Sequence, residues 1–272
     1  MRLGVIGWPV AHSRSPAMFK AAFAELGMAG WSYQRLPLPA ELFEETTKAL
    51  VGAGFKGANV TIPHKQAALA LAHRASETAR AIGAANTLTF EPDGAITAEN
   101  TDAPGLIAAL ARTRGGPATP AGLRALVLGA GGSARAAVWA LQNAGAAEVS
   151  IWNRSPKRAR ELADSLGARA VSRPQSADLL VNCTSVGLQP ALSDEEALNQ
   201  LAITADQVGE YPYVVDLVYR KPLTPLVAAA RAGGAHAVEG LEVLVAQGAL
   251  SFELWTGLAA PLAAMRAGAG ID

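Results

Sequence analysis

Three polar islands interrupt an otherwise apolar N-terminal region, and each holds side chains able to do chemistry. The first, His12-Ser13-Arg14-Ser15-Pro16, stands just before a helical run. Serines at the mouth of a helix either cap its free N–H groups or bind a carboxylate with help from the helix dipole. The second, Asn59-Val60-Thr61-Ile62-Pro63-His64-Lys65, lies where a β-type run gives way to a helical one, with Thr61 and Lys65 four residues apart. The third, Asn100-Thr101-Asp102, stands at another such junction, and Asn86-Thr87 opens the strand before it. If Lys65 and Asp102 meet in a cleft, the lysine can protonate a developing alkoxide while the aspartate orients it. Spacing alone leaves open the plainer alternative of a surface lysine and an aspartate that caps its helix.

A second kind of chemistry is written around Gly129-Ala130-Gly131-Gly132-Ser133-Ala134. This segment follows the apolar run Ala125–Leu128 and opens a helical one, the setting of a dinucleotide-binding turn. Gly129 permits the tight turn, Gly131 lets the backbone approach a pyrophosphate, and Ala134 lets helix pack on strand. The helix N-terminus then offers free N–H groups to phosphate. An acidic side chain at the end of the next strand would grip a ribose 2′-hydroxyl. The sequence there is instead Trp152-Asn153-Arg154-Ser155, with Lys157 and Arg158 following, and Glu148 stands at the wrong end of the strand. Planar donors at Arg154 and Arg158 suit a 2′-phosphate, which points to NADP over NAD. The alternative is a solvated basic helix start, to which Arg160 belongs.

These residues need a scaffold of alternating strands and helices. Up to Leu110, β-type runs (Leu3–Gly7, Ser32–Leu38, Gly57–Ile62, Asn86–Phe90) alternate with helical ones (Pro16–Leu26, Ala40–Val51, Lys65–Ala72), predicting a largely parallel sheet. Turn formers concentrate from Thr113 to Gly122, an exposed connection before the next β-run, and the domain boundary is expected near it or just before the Pro104–Arg112 helix. Strands at Ala125–Gly129, Val149–Asn153, Leu179–Cys183 and Val214–Val218 then alternate with helices to Asn143, at Pro156–Leu166 and at Thr224–Ala232, predicting a doubly wound domain. An apolar helical run from Leu241 to Leu258 carries Gln247 as its lone strongly polar mid-helix side chain, and its pattern fits packing on either domain.

Bulk composition narrows the function classes. A chain of 272 residues is long for one core and predicts two domains. Half of it is hydrophobic and 17% is charged, which excludes a disordered chain. Lysine plus arginine equals aspartate plus glutamate at 23 each, leaving no net field for nucleic acid or an anionic membrane. The lone Cys183 and the lack of a Cys/His cluster predict no disulfide, no metal and a reducing, cytoplasmic setting. The N-terminus does not read as a signal peptide, and no apolar run is long enough to span a bilayer.

The segments HSRSP, NVTIPHK, GAANTL, NTDAPG, GAGGSARA, NRS, NCTSVGL, DLVYRKPLTPL and EGLEVLVAQGA, in this order, resemble the shikimate dehydrogenase family over nearly the whole chain. The resemblance implies an α/β protein with an N-terminal substrate domain (1–104 plus the C-terminal helices 242–272), a Rossmann NADP-binding domain (105–241) and a cleft between them. It implies NADPH-dependent reduction of 3-dehydroshikimate to shikimate on the way to chorismate and the aromatic amino acids, by a monomer or homodimer acting on a small molecule. Carried over residue by residue, Lys65 and Asp102 are the catalytic pair. Ser13 and Ser15 hold the substrate carboxylate, Tyr219 closes over it, and Thr61, Asn86 and Gln247 meet the ring hydroxyls. The cofactor lies along Gly129, Ala130, Gly131, Gly132, Ser133 and Ala134, then Asn153, Arg154, Ser155 and Arg158. It continues past Thr184, Ser185, Gly187 and Leu217 to Gly240. Ala98 and Glu99 depart from the family's usual residues and bring the turn before Asn100 into question. His64, Cys183 and Trp8 are expected to be packing residues.

Overall fold

Strand β1 (Arg2–Gly7) is buried from its second residue onward, the signature of a strand covered on both faces. The structure, a computed structural model, describes residues 1–113, 115–188 and 192–271, so Arg114 in the expected exposed connection lies outside it. The chain divides into two compact units, Met1–Gly105 with Leu244–Asp272, and Leu106–Val243.

In the first unit β1 is followed by α1 (Ser15–Glu25), β2 (Ser32–Pro37), α2 (Phe43–Gly52), β3 (Phe55–Val60) and α3 (Lys65–Leu71). Then come β4 (Arg74–Ala75), α4 (Glu77–Ile82), β5 (Thr87–Phe90), β6 (Ile96–Glu99) and α5 (Asp102–Arg112). The sheet order is β2-β1-β3-β5-β6-β4. It is largely parallel, as the alternation predicts, with one exception: β5 runs antiparallel to both β3 and β6. The cause is the short link between β5 and β6, closed by Glu91 N–H donating to Ala95 O (2.9 Å) with Gly94 at φ +83°, which makes a hairpin rather than a helical crossover. Ala98 and Glu99 sit inside β6, paired with Leu88 and Thr87, so the departure from the family pattern leaves a regular strand.

The second unit holds β7 (Arg124–Leu128), α6 (Gly132–Asn143), β8 (Glu148–Trp152), α7 (Pro156–Leu166), β9 (Arg169–Ala170) and β10 (Leu179–Asn182). After these come α8 (Asp194–Gln200), α9 (Ala205–Gly209), β11 (Tyr213–Asp216), α10 (Pro225–Ala232) and β12 (His236–Val238). Its strands are all parallel in the order β12-β11-β10-β7-β8-β9. The order reverses at β7, so the switch point falls at the carboxyl ends of β7 and β10, where such sheets take their ligands.

Helix α11 (Gly240–Thr256) and helix α12 (Leu262–Ala269) complete the chain. Phe252 and Trp255 of α11 join Met18, Phe19 and Met265 in the core of the first unit. The Trp255 indole N–H donates to Leu88 O of β5 (3.1 Å). Burial of a side chain like Phe252 is worth about 1.5–3 kcal/mol, which decides the question left open by the helix's sequence pattern in favour of the first unit. Among the described residues no helix is long and apolar enough to cross a membrane.

Candidate active site

Lys65 and Asp102 are the first residues of α3 and α5, set at the ends of β3 and β6. Lys65 Nζ lies 2.5 Å from Asp102 Oδ2, with side-chain exposures of 11% and 17%. Neither plain alternative holds. The lysine is buried, and the N–H of Ala103 is capped by Asn100 Oδ1 (3.1 Å), which leaves the Asp102 carboxylate for Lys65.

Asn86 fixes the other oxygen of that carboxylate. Its Oδ1 accepts the backbone N–H of Thr101 (2.7 Å), which sets the amide's orientation. Its Nδ2 then donates to Asp102 Oδ1 (2.9 Å) and faces Gln247 Oε1 (3.1 Å). Gln247 arrives through Gly105, where an added Cβ would stand 2.7 Å from the Gln247 Cβ. Behind Asn86, Asn59 Nδ2 donates to Thr87 Oγ1 (3.1 Å) and Ser251 Oγ (2.9 Å), and Tyr33 OH donates to Asn59 Oδ1 (2.8 Å). Buried polar groups are affordable only when satisfied in this way. Sequence reasoning missed Asn59 and Ser251 as site supports. The signal for Ser251 was its place one helical turn after Gln247.

Thr61 follows β3, and its side chain sits over β1 only because residue 7 is glycine: a Cβ there would lie 2.3 Å from Thr61 Cγ2. Ser13 and Ser15 are buried. The N-cap of α1 is Arg14 and makes no side-chain cap bond; Ser13 Oγ accepts the N–H of Ser15 (3.3 Å). Arg35 of β2 donates from Nη2 (2.7 Å) and Nε (3.2 Å) to the Ser13 carbonyl and so holds this turn, a role not visible in the sequence. Burial first, and the Arg35 charge second, hold the neighbouring His12 below its ordinary range.

In the second unit Gly129 follows β7 with φ +116°, and an added Cβ would lie 3.2 Å from the Cys183 carbonyl carbon. Protein geometry therefore demands glycine there. At Gly131 the opposite holds: φ is −97° and an added Cβ would meet nothing within 4 Å. The absent side chain leaves room for a ligand, and no side chain caps α6. Ala134 is fully buried between helix and strand. Beyond β8, Asn153 Nδ2 donates to Ser155 O (3.1 Å), and Ser155 leaves α7 without a side-chain cap. Arg154 and Arg158 are exposed and have no partner among the described residues. Open glycine backbone and two free guanidinium groups fit a dinucleotide carrying a 2′-phosphate.

Thr184, Ser185 and Gly187 follow β10, and Leu217 and Tyr219 follow β11. Gly240 has a local cause, since an added Cβ would be 2.6 Å from Leu217 O. His64 packs as expected, stacked on Phe43 (4.5 Å between centroids) with Nε2 2.7 Å from Leu38 O. Two other packing expectations are corrected. Trp8 is 52% exposed, carried outward by the turn after β1, and Cys183 is only half-buried because it begins the loop beyond β10.

A Rossmann-type unit with two exposed arginines beyond its second strand, joined to a unit bearing a buried lysine–aspartate pair, defines a dinucleotide-dependent oxidoreductase. Residues 5–88 match the shikimate dehydrogenase substrate binding domain, residues 110–242 the shikimate / quinate 5-dehydrogenase family and residues 240–267 the shikimate 5′-dehydrogenase C-terminal domain. The chain belongs to the shikimate dehydrogenase family. It is 42% identical to shikimate dehydrogenase (NADP(+)) of Methanopyrus kandleri, over 97% of this chain and 93% of the relative. It is 44% identical to the protein of that name from Thermus thermophilus, over 95% and 93%. The crystal structure of the Thermus thermophilus shikimate 5-dehydrogenase in complex with NADP(H) and shikimate superposes with a TM-score of 0.83 at 41% identity, covering 99% of this chain and 98% of that one. Shikimate dehydrogenase from Aquifex aeolicus gives 0.87 at 32% identity, over 98% and 97%.

Proposed function

We propose that this protein reduces 3-dehydroshikimate to shikimate with NADPH, reversibly, on the route to chorismate and the aromatic amino acids. The observation that carries the reading is the Lys65–Asp102–Asn86 arrangement, a buried ammonium held at a fixed place by an oriented carboxylate. The relatives' names and the NADP(H) and shikimate complex support it.

When bound, NADPH supplies the hydride that the carbonyl carbon receives. The chain's residues handle the rest. Ser13 and Ser15 hold the substrate carboxylate in the turn that Arg35 braces, and Thr61 and Gln247 meet ring hydroxyls. Asn86 is 2% exposed and gives its donors to Asp102 and Gln247, so it serves the substrate chiefly by setting those two. As the carbonyl π pair moves onto oxygen, the Lys65 ammonium stabilises the growing charge and gives that oxygen a proton. Asp102 keeps the lysine aimed. In the second unit the turn Gly129–Ala134 holds the pyrophosphate, Arg154 and Arg158 hold the 2′-phosphate, and Asn153 and Ser155 line the ribose. Thr184, Ser185, Gly187, Leu217 and Gly240 flank the remainder.

The test follows absorbance of NADPH and NADH with 3-dehydroshikimate and with 3-dehydroquinate. Consumption of NADPH with 3-dehydroshikimate in clear excess over the other three combinations is expected. Faster turnover with dehydroquinate, or with NADH, would replace the reading.

A further inference from the structure

Asp216, the last residue of β11, is fully buried, and no step described above uses it. Its Oδ1 accepts the Asn182 amide (2.8 Å) and the backbone N–H of Val218 (3.0 Å), and its Oδ2 accepts the Thr224 hydroxyl (2.6 Å). Each of these donors governs a loop. Asn182 Oδ1 accepts both the N–H (3.0 Å) and the hydroxyl (2.7 Å) of Thr184, whose Oγ1 in turn accepts the N–H of Val186 (3.1 Å). Thr224 Oγ1 also accepts the N–H of Val227 and caps α10 (3.3 Å). The Thr184 loop touches the glycine turn, because a Cβ on Gly129 would stand 3.4 Å from Thr184 Cγ2. A Cβ on Gly187, which has φ +93°, would stand 3.7 Å from Thr224 Cβ. One carboxylate thus sits beneath both loops at the switch point.

We propose that Asp216 is a positioning residue of the nucleotide site, setting the loops 183–187 and 217–224 against the glycine turn through Asn182, Val218 and Thr224. The inference rests on the reading that this unit holds NADP(H). Three donors converge on one side chain, and only a carboxylate accepts them all without offering a hydrogen of its own. An amide or a protonated acid places a hydrogen toward Thr224 or Asn182, and one bond must turn around. Burial pushes the Asp216 carboxyl up to about 6, opposed by its hydrogen bonds with Thr224, Val218 and Asn182 and by the charge of Arg220, the one ionisable group among the described residues that acts on it. Loss of the ionised form therefore falls within reach of ordinary buffers.

The experiment is titration of NADPH fluorescence, without substrate, on the wild type, Asp216→Asn and Thr224→Val at pH 7.5 and pH 5, with thermal unfolding of each. Expected at pH 7.5 is a dissociation constant raised about tenfold in Asp216→Asn, with a smaller rise in Thr224→Val. At pH 5 the gap between wild type and Asp216→Asn should close, and titration of the cofactor's own phosphate drops out of that ratio. An unchanged dissociation constant in both variants, with or without a lower Tm, would overturn the inference, and so would a gap that is equal at the two pH values. If Asp216→Asn does not fold, Thr224→Val alone decides. A wild type that binds no NADPH would instead strike down the nucleotide reading itself.

Discussion

The two units build their sites from opposite materials. In the first, Lys65, Asp102, Asn86 and Gln247 are side chains that satisfy one another in a buried network held by Asn59, Thr87 and Ser251. In the second, the turn at Gly129 and Gly131 is backbone, and Arg154 and Arg158 are exposed and partnerless among the described residues. The first site is finished before any ligand arrives; the second leaves its donors open for one. Preorganised charge favours chemistry, since no reorganisation is needed as charge develops. Open phosphate donors favour affinity and discrimination between cofactors.

If the contrast is real, damage to each unit should appear in different constants. The largest effect is expected from Lys65→Ala, with turnover down by about two to four orders of magnitude in steady-state assays. Unchanged turnover would remove the lysine from the chemistry. Next, Arg154→Ala should weaken NADPH by about tenfold or more while leaving NADH nearly alone, read by fluorescence titration. Equal losses for both cofactors would mean that the arginine belongs to a solvated helix start. Smaller still, Arg35→Met should raise KM for shikimate about threefold to tenfold at constant kcat, because it braces the serine turn through one carbonyl. A fall in kcat with KM unmoved would contradict that.

The smallest effect concerns stability. The Asp216 carboxyl is raised from 3.8 to about 6 by burial. A folded-state value above the unfolded one gives a contribution fully present below about pH 4 and lost as pH rises through about 6. The Tm of wild type minus that of Asp216→Asn should therefore decline across that window, and a flat or rising difference would show that burial does not govern the group.

Much of the nucleotide unit was legible in the sequence, because its signals are local. Gly129 follows a buried strand and Ala134 lies in the first turn of the helix after it, and α7 falls on Pro156–Leu166 as the pattern predicts. The first unit was less so. The parallel sheet was foreseen, but the hairpin that sets β5 against its neighbours was not, since β6 is only four residues long and gives little periodicity to read. Helices α8 and α9 announce themselves only by the capping boxes Ser193/Glu196 and Thr204/Gln207, which hydrophobic periodicity passes over. The meeting of Lys65 with Asp102 spans 37 residues, and that of Asn59 with Ser251 spans 192, distances at which spacing carries no geometric information. The serine turn could be read either way, and the brace from Arg35 on a neighbouring strand could not be read at all.

The division of labour is tested most directly on Lys65→Ala loaded with NADPH, by titrating the cofactor and then following a single turnover with 3-dehydroshikimate in a stopped-flow instrument. The expected result is a wild-type dissociation constant for NADPH together with hydride transfer slowed by about two orders of magnitude or more. A weakened dissociation constant with hydride transfer at the wild-type rate would contradict it.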